Sequence, residues 1–483
     1  VRPTAAEQFS RRDTSIMQPF APPRDSRPDA GGSHGPSPRR QQAARPWWRR
    51  GLPALAAIGA AAGLVWLACD RLLVDRRPIV VGMLHPRSGS DAASGRALID
   101  AAVLAIEKIN RGGGLLGRPV RWVIAEGGPD EDSLARQAER LIRDEHADVI
   151  LGCGPTADRR SVIAVVERED HLLVQPLASA GLAQSAAVVS TGAVPNQQIA
   201  PAVQWCHDAL SARRFLIVGP DDVGPRCIAA IAADQIKGVG DEVVGECLAG
   251  PGGTAIDDAV RRVVESAPDV VLCLFTGDDA ASFLGRLRAA GIRAERTPAV
   301  AFGLSEDDLS TRNIDDLAGH YSASSYFQSI DRPENLAFVR AFKARYGEDR
   351  GIPAAAAGGH DAVRLWAQAV LEAETTDIRQ VREALRRQSL DAPGGIIAVD
   401  PETQHTWQPA SIGRVRGDRQ FEIVWTSRTA VRPVPYPLSR SRSAWEALVD
   451  TLQQEADRRV ARPARDRAPP EVDRAASAGG LRP

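Results

Sequence analysis

From Ile79 onward, short runs of β-branched residues alternate with amphipathic segments, and that rhythm leaves few folds open. IVVGML (Ile79 to Leu84) is an apolar block bounded by Arg-Pro and by HPRSGS, the pattern of a strand buried on both faces of a parallel sheet. Leu98, Ala102, Ala105 and Ile109 then recur at i, i+4, i+7 and i+11, one apolar stripe of a helix that should stop at Asn110 and the glycines of RGGGLLG. The unit repeats. RWVIAE, DVILG and HLLVQP read as strands, and the segments around Leu134 to Leu141 and RRSVIAVVERE read as helices. After the loop TGAVPNQQ a second series begins with a helix over Ile199 to Leu210. Its strands are RFLIVG, EVVGE, DVVLCLF and PAVAFG, separated by CIAAIAADQI, AIDDAVRRVVES and AASFLGRLRAA as helices. Alternation of this kind predicts βαβ units with right-handed crossovers, and two series of roughly 120 residues each predict two Rossmann-like, doubly wound α/β lobes.

The remainder carries three helical segments, ENLAFVRAFKARYG, AVRLWAQAVLEAE and IRQVREALRRQ. A hairpin follows in SIGRVRGDRQFEIVW, with its turn at Gly417-Asp418, so Arg416 to Asp418 reads as a turn and not as an adhesion signal. Beyond Pro437, Trp445, Leu448, Val449 and Leu452 mark a short amphipathic helix that either packs on the body or pairs with a copy of itself. The Pro/Arg/Ala-rich stretch from Ala461 cannot bury enough apolar surface to fold, and residues 1–45 share that character.

Between that arginine-rich tail and the folded body lies PWWRRGLPALAAIGAAAGLVWLACD, Pro46 to Asp70. Gly51 to Ala68 contains no charge and as a helix would be about 27 Å long, near the thickness of a hydrocarbon core. Trp47 and Trp48 occupy an aromatic-belt position, and Arg45, Arg49 and Arg50 flank the same end. The positive side stays inside, so the expectation is a cytoplasmic tail over 1–50, one transmembrane helix over 51–69, and a periplasmic or extracellular body. A signal peptide is the alternative, although about fifty residues precede the apolar run, far more than a usual basic end. WLAC faintly resembles a lipoprotein cleavage site at Cys69, with Trp66 where a small aliphatic residue is usual. The chain opens with Val1, as a fragment or an alternative start codon would produce.

A formal net charge of -1 argues against a general nucleic-acid binder. The six cysteines, Cys69, Cys153, Cys206, Cys227, Cys247 and Cys273, show no zinc spacing, and the default is buried free thiols. Gly112, Gly114 and Gly117 formally match GxGxxG but end a helix instead of opening one, so they make a poor dinucleotide site. GxSxG, Walker and HExxH motifs are missing, the eight histidines form no cluster, and no nucleophile–base pair is evident; the reading is a binding protein without cofactor, metal or catalytic residue. His85 follows a strand and could line a cleft, though a lone histidine is usually structural. In two facing doubly wound lobes the ligand sits at the carboxyl ends of the strands. The loops to inspect are therefore HPRSGS, GCGPTADRR, QPLASAGL, GPDDVGPR, FTGDD and FGLSEDD.

Several stretches carry a resemblance: TGAVPNQQIAPAVQW, LAGHYSASSYFQSIDRPEN, FKARYGEDR, LWAQAV, and DPETQHTWQP followed by FEIVW. Over about Ile79 to Pro437 the chain resembles the urea and short-chain amide branch of the type I periplasmic binding proteins, the substrate receptors of ABC transporters and the amide sensors. The resemblance implies a bilobed ligand-binding domain over 78–437 with a three-segment hinge. Lobe 1 would span about 78–197 plus part of 328–375, and lobe 2 about 198–325 plus most of 376–437, with 438–483 outside. The cleft loops depart from the family. Asp222 and Gly224 stand where it carries tyrosines, Gly152-Cys153-Gly154-Pro155-Thr156 lacks its tryptophan, Gln175 to Ala180 lacks a tyrosine, and Ala355 replaces an acidic residue. Aromatics are only 5% of the chain, and its four tyrosines, Tyr321, Tyr326, Tyr346 and Tyr436, lie elsewhere.

A urea-sized ligand must be held by a few well-placed hydrogen bonds in a dry pocket, so these losses make urea or acetamide a doubtful guest and enlarge the cleft. Candidate remaining contacts are Ser88, Ser90, Thr156, Ser179, Asp222 and Thr276, each equally able to serve only as a loop cap. Two functions stay open. One is a membrane-tethered solute-binding protein that delivers a small polar ligand, urea- or amide-like or altered, to an ABC permease. The other is a ligand-sensing ectodomain coupled to a cytoplasmic signalling domain such as a kinase.

Overall fold

The computed structural model describes residues 77–86, 91–128, 131–152, 156–250 and 253–461. The 51–69 segment lies outside them, and among the described residues no helix is long and apolar enough to cross a membrane.

In the first lobe, β1 (Ile79–Pro86), α1 (Asp91–Arg111), β2 (Val120–Gly127), α2 (Glu131–Arg143), β3 (Val149–Gly152), α3 (Thr156–Arg168), β4 (Leu173–Gln175) and β5 (Val188–Ser190) follow one another. The strands form a parallel sheet in the order β2-β1-β3-β4-β5. β1, β3 and β4 are buried on both faces, as their unbroken apolar runs require. β5 has only three residues and no flanking turn signal, and the strand pattern does not reveal it. α1 ends where RGGGLLG begins: Gly114 takes φ +82, and a Cβ there would stand 2.0 Å from the Arg118 carbonyl oxygen.

The second lobe runs through α4 (Ile199–Ala209), β6 (Arg214–Pro220), α5 (Val223–Gly238), β7 (Glu242–Ala249), α6 (Gly253–Ser266), β8 (Val270–Thr276), α7 (Gly277–Ala289), β9 (Ala299–Gly303), the short α8 (Glu306–Thr311) and α9 (Ile314–Leu317), and β10 (Tyr321–Ser324). The chain then returns to the first lobe with α10 (Pro333–Tyr346), α11 (Ala354–Ala373), α12 (Ile378–Leu385) and a three-stranded sheet, β11 (Ser389–Ala392), β12 (Gly395–Val399) and β13 (Thr406–Trp407). α11 lies along α1, and Gly359 permits the approach, since a Cβ there would stand 2.4 Å from the Leu98 carbonyl oxygen. A last crossing places β14 (Ser411–Val415) and β15 (Phe421–Thr426) as the expected hairpin on the edge of the second sheet. That sheet reads β15-β14-β10-β9-β8-β6-β7, parallel except for the hairpin.

The expected division gave most of 376–437 to the second lobe, and the packing differs. Val381, Leu385, Leu390, Ile397 and Val399 share one core with Ile79, Leu98 and Trp366 of the first lobe. Only β14 and β15 join the second sheet, because only their pairing with β10 continues it.

α13 (Arg442–Ala461) packs on the body, the first of the two outcomes left open for it. It lies antiparallel along α5, with Arg440 on Asp234 at one end and Arg459 on Asp221 at the other. Trp445 is fully buried, and together with Val449 and Leu452 it shares a cluster with Val223, Cys227 and Ile231 of the second lobe and with Ala180 and Leu182 of the first. Arg160 of α3 reaches Asp450 at 2.8 Å, so the helix spans both lobes. Val223, in the first turn of α5 between Asp222 and Gly224, is thereby buried against α13.

The crossings between lobes meet at the sequence Pro195-Asn196-Gln197-Gln198. Gln197 is fully buried, and its amide donates to the carbonyls of Thr406 at 2.9 Å and Val431 at 2.8 Å. Its oxygen accepts from the Val194 amide and from Gln408, both at 3.1 Å. Asn196 pairs with the Arg432 carbonyl and the Val434 amide, and Gln198 donates to Ala323 of β10. Replacing Gln197 by Leu would strip the buried Thr406 carbonyl of the Gln197 amide and leave the Val431 carbonyl with only the 3.4 Å contact from the Gln408 amide. A loss of about 2–4 kcal/mol in unfolding free energy is expected, read from urea denaturation.

Candidate functional site

Between the lobes lies a cavity of about 240 Å³. It forms where the parallel strands end: Pro176 to Ala178 follow β4, Thr276 closes β8, Phe302 and Gly303 close β9, and Leu304 to Asp308 follow it. Ala355 and Asp361 of α11 line it from the first lobe, and Ser322, Ser324 and Tyr326 line it around the second crossing. This is the position that the strand-end argument assigns to a ligand.

Of the six candidate contacts, Thr276 lines the cavity. Ser88 and Ser90 lie outside the described residues. Thr156 begins α3. Ser179 is spent in its own turn, accepting from the Gly181 amide at 3.2 Å. Asp222 caps α5 by accepting from the Val223 amide, and the residues around it contact α13, away from the cavity. For both, the local hydrogen bond wins because the side chain sits beside an unsatisfied backbone N–H. His85 is buried under Gly95 and borders a separate shallow depression with Arg96, Asp100, Asp307 and Arg350. Among the described cysteines, Cys206, Cys227, Cys247 and Cys273 are free thiols, and burial pushes Cys206 beyond the usual thiol range and Cys227 up to about 11.

Strand-end reasoning missed Glu306 and Asp361 as individuals. Glu306 belongs to the inspected loop FGLSEDD, but its neighbours Asp307 and Asp308 offer the same signal. The structure separates the three. Asp308 holds Ser305 in a capping box, its oxygen 2.8 Å from both the Ser305 amide and hydroxyl. Asp307 also faces the depression that holds Arg350. Glu306 is 3% exposed and accepts from the Gln328 amide at 2.5 Å. Burial pushes its carboxyl up to about 8 against the pull of that hydrogen bond, and the neighbouring Asp308 adds to the rise. Asp361 lies one position after His360, whose Nδ1 is 3.0 Å from its Oδ1. Tyr326 donates its hydroxyl to Asn335 at 2.9 Å, and burial together with Glu306 and Asp361 pushes its pKa well above the phenol range. The cavity therefore offers carboxyl groups, hydroxyls and amides, and no arginine, lysine or histidine stands among its described lining residues.

Over residues 79–442 the chain matches the periplasmic binding protein domain family. It belongs to that family. A leucine-, isoleucine-, valine-, threonine- and alanine-binding protein of Pseudomonas aeruginosa is 22% identical over 360 residues, covering 73% of this chain and 93% of the relative. A solute-binding protein of an ABC transporter from Rhodopseudomonas palustris HaA2, solved with p-hydroxybenzoic acid, aligns with a TM-score of 0.68 at 20% identity, over 76% of this chain and all of that one. A limonene hydroxylase of Geobacillus stearothermophilus is 31% identical over 144 residues, 29% of this chain and 26% of the relative, so the chain spans about a quarter of that protein's length. The two-lobed type I fold agrees with the resemblance read from the sequence, whose finer assignment to the urea and amide branch these relatives do not address.

Glu306 yields a pH dependence of known sign. Its folded value of about 8 lies above the ordinary carboxylate value of about 4.3. Its contribution to stability is fully present below the lower value and is lost as pH rises toward the upper one. Between about pH 4.5 and 8 the urea midpoint of the parent should therefore fall relative to that of Glu306→Gln, which keeps the acceptor for Gln328 and removes the charge. Parallel curves for the two proteins would contradict the assignment.

Proposed function

We propose that this chain is the extracytoplasmic solute-binding component of an ABC-type importer, held at the outer face of the membrane by the apolar segment 51–69, and that it captures a small polar solute between its lobes. The observation that carries this reading is the interlobe cavity at the carboxyl ends of the parallel strands, lined from both lobes and from the crossing at Tyr326. Its place in the periplasmic binding protein family supports the same role.

Urea and acetamide remain poor candidates. Such ligands depend on a few exposed donors in a dry wall. Here Tyr326 has given its hydroxyl to Asn335, and Ser322 donates to the Leu304 carbonyl at 2.8 Å. Amino acids and hydroxybenzoates, named for two of the relatives, are carboxylates, and the described lining supplies no cationic side chain to receive one.

Thermal denaturation of the protein should show no rise in melting temperature with millimolar urea or acetamide, and a rise of several degrees with at least one solute from a screen of amines, amidines, amino acids and amides. A screen in which nothing shifts the transition would remove the solute-binding reading. In intact cells expressing the full chain, protease added outside the inner membrane should degrade the body while a cytoplasmic marker survives; protection of both would place the body inside.

A further inference from the structure

The cleft of this protein has one sign of charge. Four carboxylates border the cavity, Glu306, Asp307, Asp308 and Asp361. Asp308 is accounted for by its cap on Ser305, and Asp307 also borders the neighbouring depression where Arg350 lies. Neighbouring arginines are engaged elsewhere: Arg350 reaches Asp100 at 3.2 Å, and Arg312 pairs with Asp278. Glu306 is left in the lining at 3% exposure with a backbone amide as hydrogen-bond partner and no cation, and Asp361 faces the same cavity with only a histidine beside it. A buried carboxylate without a counter-charge is costly, and proteins retain one where function supplies the missing charge. Among the described residues no group of three or more His, Cys, Asp and Glu side chains is arranged to hold a metal ion.

Resting on the solute-binding reading above, we propose that the cleft selects a small organic cation of the amidinium, guanidinium or primary ammonium class, with Glu306 as its counter-ion and Asp361 as the second acceptor. A planar amidinium presents two parallel N–H donors that match one carboxylate, and Phe302 and Phe327 beside it supply apolar surface for the remainder of the guest. An arriving cation ionises the Glu306 carboxyl that burial otherwise keeps neutral. A carboxylate solute brings no charge that would stabilise the ionised Glu306 and meets no cationic side chain among the described lining residues, and a neutral amide gains no ion pair.

Two isosteric series separate charge from shape: acetamidinium, acetamide and acetate, and benzamidinium, benzamide and benzoate. Each is to be titrated against the whole protein at pH 8 by calorimetry and thermal shift. Binding by at least one amidinium, at least tenfold tighter than its neutral and anionic isosteres, is the expected result. Glu306→Gln, which still accepts from the Gln328 amide, should weaken that binding at least tenfold while its own melting temperature is held or raised. Equal or tighter binding of an amide or carboxylate overturns the cation assignment and leaves the solute-binding reading standing. Failure of both amidiniums to bind, or undiminished binding by a folded Glu306→Gln, likewise overturns it. The solute-binding reading falls separately, only with the broader screen.

Discussion

Everything that could serve as a binding site here depends on a buried amide, Gln197, that ties the crossing segments of the chain together. Two lobes built on separate sheets share no strand, so the covalent links between them are the crossings. At those crossings the backbone leaves both sheets, and its carbonyls need partners that neither ladder can supply. Gln197 satisfies Thr406 and Val431 at once and is itself satisfied by Val194 and Gln408. Asn196 and Gln198, on either side, fasten the 432–434 segment and β10. A run of three amides is the economical chemistry for this task, since each carries both donors and an acceptor without charge.

With the hinge set, the cleft follows from strand direction. β4, β8 and β9 end at the same level, and their loops converge on one cavity. Its electrostatics then follow from which polar groups have already been consumed. Ser322, Asp308 and Tyr326 of its lining are spent on local hydrogen bonds, and Glu306 and Asp361 are left as its distinctive feature. α13 adds a second tie on another side of the molecule, joining Leu182 of one lobe to Val223 of the other through Leu452 and Trp445. It begins where the match to the family ends.

Much of the architecture was readable from period alone. Strands buried on both faces require unbroken apolar runs, and β1, β3, β6, β8 and β9 have them. β5 and the β11–β13 sheet escaped because strands of two to five residues between irregular segments carry too few side chains to show a period. The allotment of most of 376–437 to the second lobe parts from the packing for a different reason. Helix α12 has an apolar face, and nothing local states which of two cores it will enter. Among the candidate contacts, Ser179 and Asp222 show the limit of reading a loop by residue type: a serine or aspartate beside a free backbone N–H turns to that N–H first.

Order along the chain therefore dictated the element types, the two-lobed plan and the strand-end loops, because backbone periodicity and turn chemistry are local properties. Tertiary packing alone decided that Gln197 would knot the crossings, that α13 would lie over α5, and that Glu306, out of three adjacent acids lining the cavity, would be the buried one. Burial and partner choice are set by groups tens to hundreds of residues away, and their outcome is not written in any short stretch of sequence.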